Sequence, residues 1–243
     1  MIDETVTKSP VIRNDMFGRL DIYSTYDEIT EENLVNELNS ALVYHVQNML
    51  QEEFLYWYRR GVQPILNRRK DIREDILNIV QVNTAAEIVD FKNGYFLTQP
   101  ATYVGRRKGV QGKVKKLNEY LHRSGKQDTD NEVSDWAHTV GKGVGFVEPN
   151  DDIEVPFKSY AIDPRSAFVV YSLRPGNKPV MGVNFVTRDG KAMFDVFTEN
   201  FVYHLSGETK GKMMTTQKNH DYIVSAVTID SIEPNGLGYI PII

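Results

Sequence analysis

Hydrophobic positions along this chain change their period once. From residue 30 to about 143 they recur every three or four residues, the spacing of helices that bury one face. From about 144 onward they come in short β-branched and aromatic runs separated by turn residues, the spacing of strands. The stretch "ITEENLVNELNSALVYHVQNMLQEEFLYWYRRG" predicts one long helix. Thr30 is its expected N-cap, and Glu31 and Glu32 fall in the positively polarised first turn. Leu34, Leu38, Ala41, Leu42, His45, Val46, Met49 and Leu50 form one stripe. Arg59 and Arg60 fall in the last turn, and Gly61 can take the left-handed position that ends a helix. Such a helix is about 45 Å long, and a break into two is the alternative.

Pro64 bars the helix from continuing, so "VQPILNRRKD" is read as a bend. "DIREDILNIVQVNTAAEIVDFKNGYFLTQP" predicts one or two helices, with Gly94 and Pro100 as terminators. "VGRRKGVQG" is a glycine-rich basic loop, and "KVKKLNEYLHRSG" a short helix closed by Gly125. Thr129 and Glu132 predict a capping box opening the next helix. Six strand-like runs follow, from "GVGFVEP" to "YIVSAVTID", and Asp189-Gly190 marks a tight hairpin. Helices first and antiparallel strands second give an α+β fold. The expected organisation is an extended or mobile arm over 1–29, a helical part over 30–143 and a β-rich part over 144–243.

Composition narrows the function. The chain has 243 residues and no cysteine, so it offers no disulfide, thiolate metal site or thiol nucleophile. The opening "MIDETVTKSP" is too polar and acidic for a signal peptide. No apolar run reaches the length of a membrane span, and no membrane contact is expected. The net charge of −5 conceals a pattern. Residues 1–58 carry 3 basic and 11 acidic side chains, residues 59–126 carry 15 and 6, and residues 127–243 carry 10 and 16. Segregated charge of this kind predicts faces of opposite sign, which suit a polyanion or a neighbouring subunit.

Catalytic signatures fail one by one. "GKGVG" follows a helix and precedes a strand, the reverse of a dinucleotide loop. "GETKGKMM" is one residue short of a phosphate loop and has Met213 where a hydroxyl is required. "DTDNEV" lacks the glycine of a calcium loop. The histidines at 45, 122, 138, 204 and 220 show no metal-binding spacing. His45 reads as a packed core residue, and His122 and His138 as surface or interhelix residues. Asp151, Asp152 and Glu154 read as a solvated turn. No catalytic residue, metal or cofactor is expected.

Two basic clusters remain. Arg59, Arg60, Arg68, Arg69, Lys70 and Arg73 form the first, interrupted by Asp71, Glu74 and Asp75. These acids favour a solvated or salt-bridged face, and Tyr56, Trp57 and Tyr58 beside it favour packing against a neighbour. Tyr56, Trp57, Tyr58, Arg59, Arg60, Arg68 and Arg69 are therefore candidates for a subunit interface. Arg106, Arg107, Lys108, Lys113, Lys115 and Lys116 form the second cluster, with no acid among them. They are candidate contacts to DNA phosphates or to a partner. A nucleic-acid-binding or nuclease-like protein using 59–126, or a generic α+β interaction module, stays open at this level.

The order of these pieces resembles the portal proteins of long-tailed phages of Gram-positive bacteria. The resemblance rests on "YWYRRG" and "QPILNRRKDIR", then "NTAAEIVDFKNGYFLTQPATYV", "LNEYL", "DWAHTVGKGVGF", "DPRSAFVVYS" and "PVMGVNFV", and runs from about residue 35 to 243. It implies a structural subunit of a dodecameric ring at one capsid vertex. Such a ring nucleates procapsid assembly with scaffold and capsid protein and docks the terminase. It passes double-stranded DNA inward and outward, and then carries the head–tail adaptor. Hydrolysis belongs to the terminase, so no active site is implied here. The resemblance places this chain in the outer wing region, with stem, clip and crown expected beyond residue 243. The apolar "YIPII" at 239–243 is expected to leave strand-like surface bare.

Overall fold

The computed structural model describes residues 20–67, 78–210, 213–214, 219–220 and 223–243. The fold is α+β, helices first and strands after. Strand β1 (Ile22–Ser24) leads into helix α1 (Glu31–Arg59) and a short 3-10 turn (Pro64–Asn67). Helices α2 (Thr84–Phe96), α3 (Gln111–Arg123) and α4 (Lys126–Val140) follow. The strands are β2 (Val144–Pro149), β3 (Phe157–Ile162), β4 (Ala167–Ser172), β5 (Pro179–Arg188), β6 (Lys191–Phe197) and β7 (Phe201–Lys210). After them come β8 (Met213–Met214), β9 (Asn219–His220) and β10 (Ile223–Pro234).

α1 is continuous over its 29 residues. No proline interrupts it, and the buried positions Leu34, Leu38, Ala41, Leu42, His45 and Met49 keep one stripe against one surface. At its start, Asn33 Oδ1 accepts from the Thr30 amide at 2.8 Å. At its end, Gly61 adopts φ 89°, the left-handed conformation expected of it.

The stripe lies on one face of a six-stranded sheet ordered β1-β4-β5-β6-β7-β10. All pairings are antiparallel except β1 with β4. Leu34, Leu38 and Leu42 meet Phe168, Met181, Val183, Phe194 and Leu205 in one core. Each such side chain contributes about 1.5–3 kcal/mol by leaving water. The β5–β6 hairpin turns at Asp189-Gly190, where both residues have positive φ (53° and 77°), the conformation a two-residue turn needs.

Part of the sheet's other face is covered by the β2–β3 ribbon and by residues 240–242. Val144, Ala167, Ile240 and Ile242 form this second core, with Phe146 and Phe197 against it. The end of the chain pairs with β2: Gly145 and Ile243 exchange backbone hydrogen bonds at 2.8 and 3.0 Å, and the Val147 amide donates to Pro241 O at 3.1 Å. Gly182 admits this segment, because a Cβ there would stand 2.6 Å from Ile240 Cγ2.

Three expectations change. The apolar "YIPII" is bare only in part: Ile240, Pro241 and Ile242 are buried against the sheet and β2, while Tyr239 and Ile243 are exposed. Thr129 does not cap a helix. Gly125, at φ 67°, ends α3 and opens α4, which places Thr129 one turn inside. Its hydroxyl instead donates to Ser159 O on β3 at 3.1 Å. Within the stretch read as an arm, residues 22–24 are docked as a strand, with Ile22 and Ser24 buried. Leu20 and Asn48 exchange two hydrogen bonds (2.9 and 2.8 Å), which tie this stretch to α1. Of the helices expected between 71 and 100, α2 is the one within the described residues; 68–77 lie outside them.

Candidate functional site

The aromatic, basic end of α1 is built into the chain itself. Glu53, on the last turns of α1, is buried; one carboxylate oxygen accepts from Trp57 Nε1 at 2.5 Å and the other pairs with Arg165. Arg165 also holds Asp163, with Nη2 to Oδ2 at 2.5 Å and Nε to Oδ1 at 2.9 Å. Its guanidinium lies over the rings of Tyr56 (4.3 Å) and Trp136 (5.5 Å), which stack on each other. Burial works against the Arg165 charge, but the carboxylates of Asp163 and Glu53 outweigh it and hold the group above its ordinary range. The signal for this assembly, "DPR" at 163–165, lay in the sequence, but its partner Glu53 is 112 residues away along the chain.

Arg59 closes a second assembly. Its guanidinium donates to Asp135 (2.5 Å) and Thr139 (2.6 Å) on α4 and to Asp90 (2.8 Å) on α2. Burial again opposes the charge, and the hydrogen bonds to Asp135 and Asp90 prevail, raising its pKa. Asn93 donates to the other Asp135 oxygen at 2.8 Å and meets His138 Nδ1 at 2.7 Å. Arg59 thus joins three helices. Tyr58 lies half-buried against Phe54. Arg60 is exposed, stacked over Tyr56 at 4.4 Å. The structure therefore engages Tyr56, Trp57, Tyr58 and Arg59 within one chain; Arg68 and Arg69 lie outside the described residues.

The second basic cluster is placed differently. Arg106, Arg107 and Lys108 are exposed in the turn before α3, and Lys113, Lys115 and Lys116 are exposed on α3. Among the described residues, no ion pair joins any of the six to a carboxylate. The first turn of α3 carries no acid, so the positive helix end adds to their charge. Asn118 fixes the approach to this turn by exchanging hydrogen bonds with the Tyr103 backbone at 3.0 and 2.9 Å. Gly105 lets the chain pass Val110, whose Cγ2 would stand 2.8 Å from an added Cβ. A shallow groove of about 550 Å³ opens here, lined by Tyr103, Val104, Gly105, Val114, Asn118 and His122.

An acidic surface gathers at the other end of α1. Glu28, Glu31 and Glu32 are exposed there, and Asn200 of the β6–β7 turn, next to exposed Glu199, reaches Glu28 at 3.5 Å. The sequence shows the acidity of 1–58 but not its meeting with the β6–β7 turn. Another grouping missed by linear spacing is His204, which pairs with Asp195 across β6–β7 at 2.7 Å. Among the described residues, no three His, Asp or Glu side chains could hold a metal ion.

The model of one family, the phage portal proteins of the SPP1 Gp6-like type, matches residues 45–243. The chain belongs to that family. A search of curated protein sequences returns no match. Portal proteins are structural, and in this portal chain the acidic and basic side chains are arranged as surfaces and ties. No described helix is long and apolar enough to cross a membrane.

Proposed function

We propose that this chain is the wing of a portal subunit, with a helical part over 30–143 and a β-rich part over 144–243. Copies of the subunit form a ring at one capsid vertex of a tailed phage or prophage, twelve being the number the family resemblance implies. DNA passes through the ring, and the terminase, scaffold, capsid protein and head–tail adaptor are its partners in the virion and during assembly in the bacterial cytoplasm. The family match over 45–243 carries this reading.

The experiment is the solution mass of the chain together with electron microscopy of the same sample. Closed rings are the expected result. A chain that stays monomeric in both measurements would overturn the reading. The unneutralised stretch Arg106–Lys116 is the surface through which the subunit would meet an acidic partner or DNA phosphates. Divalent-dependent cleavage of DNA by the purified chain would favour a nuclease instead.

A further inference from the structure

Two distant surfaces of the chain complement each other in both charge and apolar character. The first lies past the C-terminal end of α1. Ile88, Phe91 and Tyr95 share the outward side of α2, where Phe91 and Tyr95 are 73% and 72% exposed and their rings stack at 6.1 Å. The inward side of α2 already holds the helix in place, through buried Val89 and through Asn93 and Asp90. The outward rings therefore have no role in fixing α2. Both α2 and α3, the helix that carries Lys113, Lys115 and Lys116, pack on α4.

The second surface lies at the start of α1. Asn200, next to Phe201 in the β6–β7 turn, reaches Glu28 at 3.5 Å. Burial, followed by the charges of Glu31 and Glu28, pushes the Tyr203 phenol up. Tyr203 packs against Phe201 at 6.0 Å, and Phe201 and Ile232 are exposed among these acids. No ion pair among the described residues neutralises Glu28, Glu31 or Glu199. The 28 residue steps from Glu31 to Arg59 separate the two ends by about 42 Å along α1.

We propose that these two surfaces bind each other between copies, with Phe91, Tyr95, Arg107 and Lys113 of one subunit on Glu28, Glu31 and Phe201 of the next. The contact rests on the portal reading, which supplies the ring. It is head to tail: like ends repel, so a two-fold contact through either end alone is disfavoured, whereas opposite ends attract and can repeat around a ring. DNA is the weaker occupant of the basic end. It would use the bases but leave the Phe91–Tyr95 rings in water, and it would give the acidic end no role.

The chain has no cysteine, so single introduced thiols report the contact without background. Chains carrying Glu31→Cys and Lys113→Cys are mixed under mild oxidation and the disulfide-linked pairs resolved by mass. The mixed pair is expected in several-fold excess over random pairing. The excess falls in high salt and when Phe91→Ser is added to the Lys113→Cys chain. Random pairing overturns the contact. If the unaltered chain still forms rings, the portal reading survives that result; if it does not, both fall. Random pairing together with salt-sensitive binding of duplex DNA that is lost in Arg107→Glu and Lys113→Glu would assign the basic end to DNA and overturn the contact.

Discussion

His45 shows how much one side chain's surroundings decide. It is 1% exposed, packed against Phe168 (4.4 Å) and Phe185 (5.6 Å), with Nε2 on Arg165 O at 3.0 Å. Since that oxygen only accepts, Nε2 carries the proton and donates it. Burial lowers its pKa to about 4; the bond to Arg165 O opposes this and the Lys142 charge assists it. The folded value lies below the unfolded one. His45 therefore costs no stability above pH 6.5, and an increasing amount as pH falls from 6.5 toward 4. The full loss is about 3 kcal/mol. A His45→Leu chain should lose about 2 kcal/mol less than the parent between pH 7 and 5, measured by urea unfolding at both values. The sequence announced this residue, because an imidazole on an apolar stripe must be buried. Glu53 on the same helix was not legible, because its cation Arg165 comes from a turn between two strands. Arg165→Met removes that cation from a buried carboxylate and should cost about 3 kcal/mol in the same assay.

At the scale of elements, period and turn chemistry located the helices and strands well. Asp189-Gly190 identified its hairpin because few sequences tolerate two successive positive φ values. The capping box at Thr129 failed for an equally local reason. Gly125 already supplies both the end of α3 and the beginning of α4, which leaves Thr129 free to hold β3. Glu132→Ala should therefore leave stability within about 0.5 kcal/mol of the parent, a result that a true capping partner would not give. Thr129→Val should cost about 1 kcal/mol through the lost bond to Ser159 O. The docking of 240–242 was hidden because nothing along the chain says which surface a short apolar segment will cover. Gly182 is the counterpart that receives it. Gly182→Val forces Ile240 and Ile242 aside and should cost about 3 kcal/mol, seen as a lowered urea midpoint.

For the whole molecule, the segregation of charge along the sequence became a segregation in space, although not along the same boundaries. Arg59, counted in the basic block, is neutralised between α2 and α4 inside one chain. The net positive end is instead the 106–116 stretch, and the net negative end meets a turn from a separate part of the chain. Summed charge over windows of sequence finds the first kind of block and misses the second, because the fold brings the β6–β7 turn beside Glu28. Association of copies should weaken steeply as salt rises, which sedimentation at a series of ionic strengths would measure; an interface made of apolar contact alone would hold or tighten.

The unbroken run of α1 has one more consequence. A continuous helix is a ruler: the two surfaces at its ends stand at a separation set by its residue count, not by the softness of loops. Adding seven residues to its middle would return the buried stripe to nearly the same face while moving the ends about 10 Å further apart. If neighbours meet through those ends, the length of this one helix is a gauge for the circumference of the ring.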